Sequence, residues 1–467
     1  MFMADYSAQF NCPGCGSPLE TLEGTISLQC KFCGLIMRIG SPGRILKYFY
    51  QPKLEGFAVK FSIEKHLKEK GLSLTYSEIS RQLFYIPFYR FRGMSYTLFC
   101  EKTVECEGED FENAIPIVKR ELQRKCSHFD LTVPAYTNES FGLESLGIRP
   151  EVMPLTALHN DNFPEDSVKI DIKISPEEAK QKSMTMFFMN VGFASLNKEI
   201  LSSEMIGEGL SLIYYPVWAF SLSQGDFYTT MFIDGLNKRV YHEIPGELKT
   251  NSTGIDLSRA SEMNPVQHKC PNCGFDLPVS EYSLFYYCQN CFRSYMIADD
   301  NYVSTELLAA KYEEGKHYHP FWRFPFVAGE NIDTVSKFSK VLTGEIPLVA
   351  KKKAPNKFYL YVPGFKSMNL NSLTNVGTRI CCIQPELKVG NNSVPFEAEM
   401  ILPESEALEL ARHYWSVIKS KYRHLERPEY EFESCKTGKG EIVWLSLSRP
   451  HYDNRPRYFK QAKLYAK

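Results

Sequence analysis

The chain has 467 residues, with 54 lysines and arginines against 55 aspartates and glutamates, so its formal net charge is −1. Hydrophobic residues make up 43% of it and aromatic residues 13%, which argues against a largely disordered chain and gives length for about three domains. The near-zero charge excludes a whole-chain attraction to nucleic acid or to anionic lipid.

The beginning of the chain, MFMADYSAQFNCPGCG, has no positive segment followed by an apolar run, so no secretory signal is visible. The apolar runs are short, whereas a membrane-spanning helix needs about 20 apolar residues. We therefore expect no transmembrane segment and a cytoplasmic location, where paired cysteines favour metal over disulfide.

Eight of the 14 cysteines form two sets with matching spacing, namely Cys12, Cys15, Cys30 and Cys33, and then Cys270, Cys273, Cys288 and Cys291. Each set consists of two C-x2-C pairs, and 14 residues separate the second cysteine from the third. Two such turns can aim four sulfurs at one point. The spacing therefore predicts a tetrahedral four-thiolate zinc site in each set.

Glycine follows the closing cysteine in three of the four turns, at Gly16, Gly34 and Gly274, where a positive φ is expected. Phe292 takes this position in the fourth turn. Residues 10–40 and 268–295 resemble zinc ribbons, the rubredoxin-like class. The resemblance covers these segments only, and it implies two structural Zn²⁺ ions held by the eight cysteines, with electron-transfer iron as the alternative.

Four further pairs of segments recur in the same order after each cysteine set. They are YIPFYRF (85–91) and YHPFWRF (318–324), LTVPAY (131–136) and LYVPGF (360–365), KISPEEA (173–179) and MILPESEA (400–407), and YPVWAFSL (215–222) and EIVWLSLS (441–448). Ordered markers at similar separations indicate an internal duplication.

We expect an α+β fold of two tandem duplicated units packed as a pseudo-twofold pair, each a zinc ribbon followed by a mainly antiparallel sheet with a long helix. The predicted domains are zinc ribbon 1 at 1–40, α+β unit 1 at 41–262 with an insertion at about 40–80, zinc ribbon 2 at 263–300, and α+β unit 2 at 301–467 with a basic C-terminal tail. The oligomeric state does not follow from the sequence.

The repeated segments also predict local structure. Pro87 and Pro320 are expected at strand edges or strand starts. Ser175 is expected to cap a helix that begins at Pro176. The helix of the second copy is expected to continue from Pro403 to about Lys421, with an apolar face of Leu408, Ala411, Trp415 and Ile418.

The other six cysteines are Cys100, Cys106, Cys126, Cys381, Cys382 and Cys435. We expect them to be buried free thiols, with Cys381 and Cys382 in a strand, where neighbouring side chains face opposite ways. His317 and His319 are spaced to share a strand face, and a packing role is favoured over a metal site. No catalytic motif is recognisable, so an enzyme has no positive sequence support.

The charge is unevenly distributed. Residues 351–467 carry a net charge of +8, and the rest of the chain carries −9. The last 19 residues hold six lysines and arginines, one acid and four aromatic rings, and residues 351–353 form a smaller basic cluster. This segment is a candidate docking arm for an acidic protein surface, an anionic membrane face or nucleic acid.

These observations favour a non-catalytic, zinc-stabilised scaffold or adaptor protein that binds partner proteins within a larger assembly. One alternative is a nucleic-acid-associated zinc-ribbon factor that uses the basic segment 351–467. A second alternative is a redox subunit with iron in the four-cysteine sites.

Overall fold

The structure is a computed structural model of the chain. It describes residues 7–40, 44–107, 115–137, 139–146, 154–158, 162–190, 198–248, 260–261, 263–298, 300–309, 317–329, 332–334, 336–338, 357–367, 369–385, 398–420, 425 and 427–447. The basic cluster at 351–353 and the basic tail after residue 447 lie outside the described residues. No helix in these ranges has the length and apolar character needed to cross a membrane.

The described chain is mixed α/β, with many strands and few helices. The strands of the first half are β1 Ser7–Asn11, β2 Pro18–Leu22, β3 Ser27–Gln29, β4 Ile36–Arg38, β5 Ile45–Phe49, β6 Ser77–Glu107, β7 Ile115–Pro134, β8 Leu155–Ala157, β9 Ser167–Lys169, β10 Lys198–Gln224, β11 Phe227–Asp234, β12 Val240–Pro245, β13 Ala260–Ser261 and β14 Val266–Gln267. Those of the second half are β15 Phe285–Tyr287, β16 Ser294–Ala298, β17 Asn301–Thr305, β18 Leu308–Ala309, β19 His317–Val327, β20 Tyr359–Pro363, β21 Lys436–Thr437 and β22 Glu441–Leu447. The helices are α1 Val59–Glu69, α2 Pro176–Asn190, α3 Leu370–Ile383 and α4 Glu404–Lys419.

The chain forms two compact units. Unit 1 consists of Met1–Arg92, Phe129–Val191 and Gly209–Gln267. Unit 2 consists of Gly93–His128, Gly192–Glu208 and His268–Lys467. Each unit contains one of the two cysteine sets, and the long strands β6, β7 and β10 contribute a segment to each.

Unit 1 is built on a sheet in which strands follow the order β12-β11-β10-β5-β8-β1-β2. The pairs β1–β2 and β10–β11 are antiparallel, whereas β10–β5 and β8–β1 are parallel. A buried aromatic core covers one face of this sheet and includes Tyr48, Ile86, Phe88, Phe141, Ile213 and Phe232. A separate small sheet, in the order β14-β4-β3, completes the first cysteine segment.

The sequence between residues 40 and 80, predicted to be an insertion, contains α1. This helix buries Val59, Ile63 and Leu67 against Met231 and Ile233 of β11. The spacing of four residues between the three helix positions places them on one face, which explains why the segment forms a helix here. The opposite side of the segment exposes Phe57 and Phe61 to solvent.

Helix α2 begins as predicted. The hydroxyl of Ser175 accepts a hydrogen bond from the backbone N–H of Glu178 at 3.1 Å, and Pro176 is the first helical residue. The side-chain cap satisfies one of the four N–H groups that a helix start leaves without an intrahelical partner.

Unit 2 has a second sheet in the order β18-β22-β19-β20, with β19 antiparallel to both of its neighbours. Two helices, α3 and α4, belong to this unit where one long helix was expected. Helix α4 ends at Lys419, and its fully buried positions include Leu410 and Tyr414, whereas Leu408 of the predicted face is only half-buried. The predicted positions Ala411, Trp415 and Ile418 are buried.

The prediction of a strand at Cys381 and Cys382 was wrong, because both residues lie in α3. The side chain of Asn369 accepts from the N–H of Ser372 at 2.9 Å and caps this helix. The run of β-branched and thiol side chains around these two cysteines is short. The helical spacing of the apolar residues before it therefore determines the local structure. Cys381 is buried and Cys382 is exposed, as neighbouring residues on a helix commonly are.

Pro87 and Pro320 lie inside strands, so the expectation of strand edges or starts was also wrong. Each proline still takes part in a hydrogen bond through its carbonyl. Ala135 donates to the oxygen of Pro87 at 2.9 Å, and Gly364 donates to that of Pro320 at 2.9 Å. Proline lacks only the N–H, so a position that needs an acceptor tolerates it.

A buried ion network joins the first cysteine segment to the sheet of unit 1. Glu23, in the turn between β2 and β3, and Arg90, in β6, have side chains that are each 1% exposed. The Glu23 carboxylate accepts hydrogen bonds from Arg90 and from the Ser211 hydroxyl. Arg90 also donates to both carboxylate oxygens of Asp130, at 2.8 and 2.5 Å, and Arg92 donates to the Glu23 carbonyl at 2.7 Å.

Two glycines make room for the second arginine of this network. A Cβ atom at Gly24 or at Gly209 would overlap the side chain of Arg92. Gly24 also has a φ of 87°, which disfavours any residue with a Cβ. The guanidinium therefore lies against bare backbone on two sides.

We expect Arg90→Met to destabilise unit 1 by about 3–5 kcal/mol, because it leaves the buried Glu23 carboxylate without its main partner. The matched control is Arg323→Met at the corresponding position of YHPFWRF, where Glu441, the partner of Arg323, is 38% exposed and the expected loss is about 1 kcal/mol. Amide hydrogen exchange measures the effect, in β1–β4 for Arg90→Met and in β19 and β22 for Arg323→Met. Equal losses in the two variants would contradict the role assigned to the buried network.

Candidate metal centres

The four cysteines of the first set bring their sulfurs together. Their Sγ atoms all lie within 4.8 Å of one another. The Cys12–Cys33 separation is 3.7 Å and the Cys15–Cys30 separation is 3.8 Å. A tetrahedron with Zn–S bonds of about 2.3 Å has S–S edges of about 3.8 Å. The donor set and its spacing therefore fit a four-coordinate metal ion.

The backbone explains how this convergence arises. Cys12 follows β1 and Cys15 precedes β2, while Cys30 follows β3 and Cys33 precedes β4. In each turn the N–H after the closing cysteine donates to the carbonyl of the opening cysteine. Gly16 donates to Cys12 at 2.8 Å, and the corresponding distance in the second turn is 2.9 Å. The closing glycine of each turn has a positive φ, as predicted.

The second set, in unit 2, has the same geometry. Its four Sγ atoms lie within 4.8 Å of one another, and the Cys270–Cys291 and Cys273–Cys288 separations are both 3.6 Å. Phe292 donates from its N–H to the Cys288 carbonyl at 2.9 Å, as the glycines do in the other turns. It holds a φ of 58°, so this turn has a left-handed residue with a side chain, at a cost of about 1–2 kcal/mol.

Each set has a buried side and an exposed side. Cys12, Cys30, Cys270 and Cys288 are buried, whereas the closing cysteines of their turns are exposed or half-buried. An ion in either set would be held by two buried sulfurs on one side and by two sulfurs near solvent on the other. A set of four sulfurs leaves no free coordination position for a substrate.

Hydrogen bonds lower the pKa of two cysteines in each set, Cys15 and Cys30 in the first and Cys270 and Cys273 in the second. The hydroxyl and backbone N–H of Ser17 lower the pKa of Cys15 to about 6. Desolvation raises the pKa of Cys270, but the hydroxyl of Tyr295 and two backbone N–H groups outweigh it and bring the value to about 6. Desolvation raises the pKa of Cys288 to about 11. Metal binding must therefore displace protons from some of the thiols.

The surroundings of the two sets differ at one position. Cys270 Sγ, as a thiol, donates to the hydroxyl of Tyr295, in β16, at 3.6 Å, and as a thiolate it would accept from the same hydroxyl. The corresponding residue of the first set is Met37, which is buried against Cys12 and has no hydrogen-bond donor in its side chain. The sequence signal for this contact is the position of Tyr295, four residues after Cys291.

The second set is attached to its sheet differently from the first. The N–H of Leu284 donates to the carbonyl of Met400 at 2.6 Å, and the Ser280 hydroxyl donates to the Glu399 carboxylate. The ammonium of Lys366 lies 4.6 Å from the ring centre of Tyr282. The Ser280–Glu399 and Lys366–Tyr282 contacts lie closer to the surface than the Glu23–Arg90 pair, whereas Leu284 and Met400 are buried.

The other candidate residues do not join either set. Among the described residues, the two cysteine sets are the only groups of cysteine, histidine or carboxylate side chains that could hold a metal ion. His319 in β19 packs its ring against Phe365 at 4.7 Å, in keeping with a packing role. The side chain of Cys106 lies outside the described residues, while Cys100, Cys126 and Cys435 are half-buried free thiols.

We expect Tyr295→Phe to weaken metal retention by the second set about 10–100-fold, because a hydrogen bond to a ligand sulfur is lost. The first set, with Met37 at the corresponding position, provides an internal control. Tyr302→Phe, which removes a neighbouring hydroxyl that contacts His268, is the matched control. Competition with a chelator measures the release of each ion.

An equal release rate from the two sets in Tyr295→Phe, or the same loss in Tyr302→Phe, would contradict a specific effect of Tyr295 on the metal centre.

Comparison of the chain with protein-family models, with curated proteins and with solved structures found no match.

Proposed function

We propose that the chain is a non-catalytic scaffold protein, stabilised by two structural Zn²⁺ ions, that binds partner proteins. One observation carries this proposal: both metal centres are closed sets of four sulfurs. Such sets stabilise a fold rather than activate a substrate, and zinc is the usual ion. Because free thiol pairs persist in a reducing compartment, the proposal places the protein in the cytoplasm.

The proposal includes an internal duplication, and matched hydrogen bonds support it. Ala135 and Gly364 occupy the same place in LTVPAY and LYVPGF, and each donates to the proline carbonyl of the preceding repeated segment. Their own carbonyls accept in turn, from Lys173 and from Ile401 at 2.8 and 2.7 Å. The pseudo-twofold packing of two copies stays a prediction.

Exposed aromatic side chains support a role in binding proteins. Phe57 and Phe61 are 72% and 69% exposed, on the side of the α1 segment opposite its buried face. The cysteine turns also expose Phe32, Phe275 and Phe292. Aromatic side chains are enriched in protein interfaces, and apolar groups left in solvent commonly mark them.

Two other functions stay predictions. A nucleic-acid-associated role depends on the basic segment 351–467, of which the described part pairs several of its cations with acids. Lys419 lies 2.6 Å from Glu431, and Arg412 lies 3.7 Å from Glu433. A redox role requires iron in the four-cysteine sets.

The purified chain is expected to contain two zinc ions and to be colourless, because zinc has a filled d shell. Cys15→Ser and Cys273→Ser should each lose one ion and unfold one segment, since structural zinc contributes roughly 10 kcal/mol to folding in zinc-finger peptides. Cys382→Ser, an exposed cysteine outside the sets, is the matched control. Elemental analysis, with amide hydrogen exchange, measures both effects.

Iron in place of zinc, with visible absorption, would support the redox alternative and contradict the proposal. Full metal content in Cys15→Ser would contradict the ligand assignment.

The double variant Phe57→Ser, Phe61→Ser is expected to reduce recovery of a partner protein about tenfold or more, because aromatic anchors dominate interface energies. Lys65→Ser, an exposed change on the same helix, should leave recovery unchanged. Cross-linking in native cells followed by quantitative mass spectrometry measures recovery. The absence of any reproducible partner, or full recovery with the double variant, would argue against this surface.

A further inference from the structure

Unit 1 exposes a set of large apolar side chains along α1 and beside it. Phe57 and Phe61 lie four residues apart and point away from the buried face of the helix. The loop after α1, the start of β6 and the start of β11 contribute the others. This set, the α1 surface, consists of Phe57, Phe61, Leu72, Leu74, Ile79 and Phe227, whose exposed fractions run from 39% to 80%.

A hydrogen bond and the alternation of a strand place the far end of the α1 surface. The side chain of Gln224, the last residue of β10, donates to the Ser73 carbonyl at 2.8 Å, so the loop after α1 lies against the β10–β11 turn. Phe227 opens β11 at an even number of positions before Met231 and Ile233, whose side chains pack on α1. Because side chains alternate along a strand, Phe227 lies on the same face of the sheet as the helix.

The near end of the α1 surface is joined to β6. Arg81 of β6 donates from Nη1 to the carbonyl of Gly56, the residue before Phe57. Ile79 lies two residues before Arg81 and so shares its strand face. Helix α1 has 11 residues and is about 16 Å long, so apolar side chains lie at both of its ends within one continuous surface.

The α1 surface exposes a large apolar area. At about 200 Å² for each side chain, the six exposed fractions amount to about 700 Å². The largest apolar patch of an ordinary monomer covers about 300–600 Å², and a stable dimer buries about 800 Å² on each copy. Together with the stems of the surrounding lysines, the α1 surface therefore has the size of one half of a dimer interface.

The charged side chains around the α1 surface balance one another. Three ion pairs among them have separations of 2.6–3.9 Å. A balanced rim attracts neither nucleic acid nor an anionic bilayer, and it does not repel a second surface of the same composition. Six residues of each sign form the rim, namely Lys53, Lys60, Lys65, Lys68, Lys70 and Arg81, and Glu55, Glu64, Glu69, Glu78, Asp226 and Glu243.

The order of side chains along α1 also suits a second copy. Apolar side chains lie at both ends of the helix, whereas Glu64 and Lys65 at its middle carry both signs of charge. A surface with this order is complementary to itself when it is reversed. A two-fold axis produces this reversal, and two-fold dimers are the commonest closed assemblies.

We propose that two copies of the chain associate through their α1 surfaces, antiparallel about a two-fold axis. The start of α1 in each copy, with Phe57 and Phe61, packs on the Leu72–Leu74 loop and Phe227 of the other copy. The proposed function has Phe57 and Phe61 bind a protein, and the dimer rests on it by naming that protein as a second copy.

Sedimentation equilibrium of the full, metal-loaded chain measures the association. The wild type is expected to reach twice the chain mass of 53.7 kDa. Phe61→Ser and Phe227→Ser should each raise the dissociation constant about tenfold or more, because aromatic anchors dominate interface energies. Both side chains are mostly exposed, so far-UV circular dichroism should not change. Phe32→Ser, at an exposed phenylalanine of unit 1 outside the α1 surface, is the matched control and should leave the association unchanged.

Variants that introduce charges test the antiparallel arrangement. Phe57→Glu and Phe227→Lys should each be monomeric alone, since a symmetric dimer of either would bury two unpaired charges. An equal mixture of the two should recover dimers, because the introduced carboxylate and ammonium then face each other and the second Phe57–Phe227 contact is intact. A mixture of Phe57→Lys with Phe227→Lys is the matched control and should stay monomeric.

A monomeric wild type, a dimer that Phe61→Ser and Phe227→Ser leave unchanged, or a mixture of Phe57→Glu and Phe227→Lys that stays monomeric would overturn the proposal. If the wild type is monomeric and the Phe57→Ser, Phe61→Ser variant still loses a different protein in cells, the dimer is overturned and the proposed function stands. If the wild type is monomeric and that variant loses no protein, both are overturned.

Discussion

The carboxylate of Glu23 has to remain paired, and the arrangement of the first half of the chain follows from that constraint. A buried charge that loses its partner costs several kcal/mol, so the turn between β2 and β3 is stable only where Arg90 and Ser211 meet it. Glu23 lies eight residues after Cys15 and seven before Cys30. One ion pair therefore positions both turns of the first cysteine set on the sheet.

The second cysteine set has the same sulfur geometry but is attached through different contacts. Its segment is attached through the Leu284–Met400 backbone hydrogen bond and the half-buried Ser280–Glu399 contact. It has a hydrogen bond between Cys270 Sγ and the Tyr295 hydroxyl, and Phe292 holds a positive φ in its last turn. The four-sulfur arrangement is thus common to both halves, whereas attachment and the electrostatics around the sulfurs are particular to each.

Local features of the chain could be predicted well, and long-range ones could not. The cysteine spacing predicted both sets of converging sulfurs, and the Ser175–Pro176 pair predicted the start of α2, because each depends on a few neighbouring residues. Glu23 and Arg90 are 67 residues apart, and no local pattern indicates their pairing. A strand was predicted at Cys381 and Cys382 from a short local run of residues. Both residues instead lie in a helix that begins after the cap at Asn369.

The two glycines beside Arg92 have a consequence for how the sequence can vary. Neither has a side chain to pack, yet any replacement would displace a guanidinium that contacts the Glu23 carbonyl. In a saturation mutagenesis experiment, positions 24 and 209 should tolerate as few substitutions as the interior of the aromatic core. Selection would therefore preserve the space that the two glycines leave for Arg92, and substitutions at positions 24 and 209 would accumulate slowly.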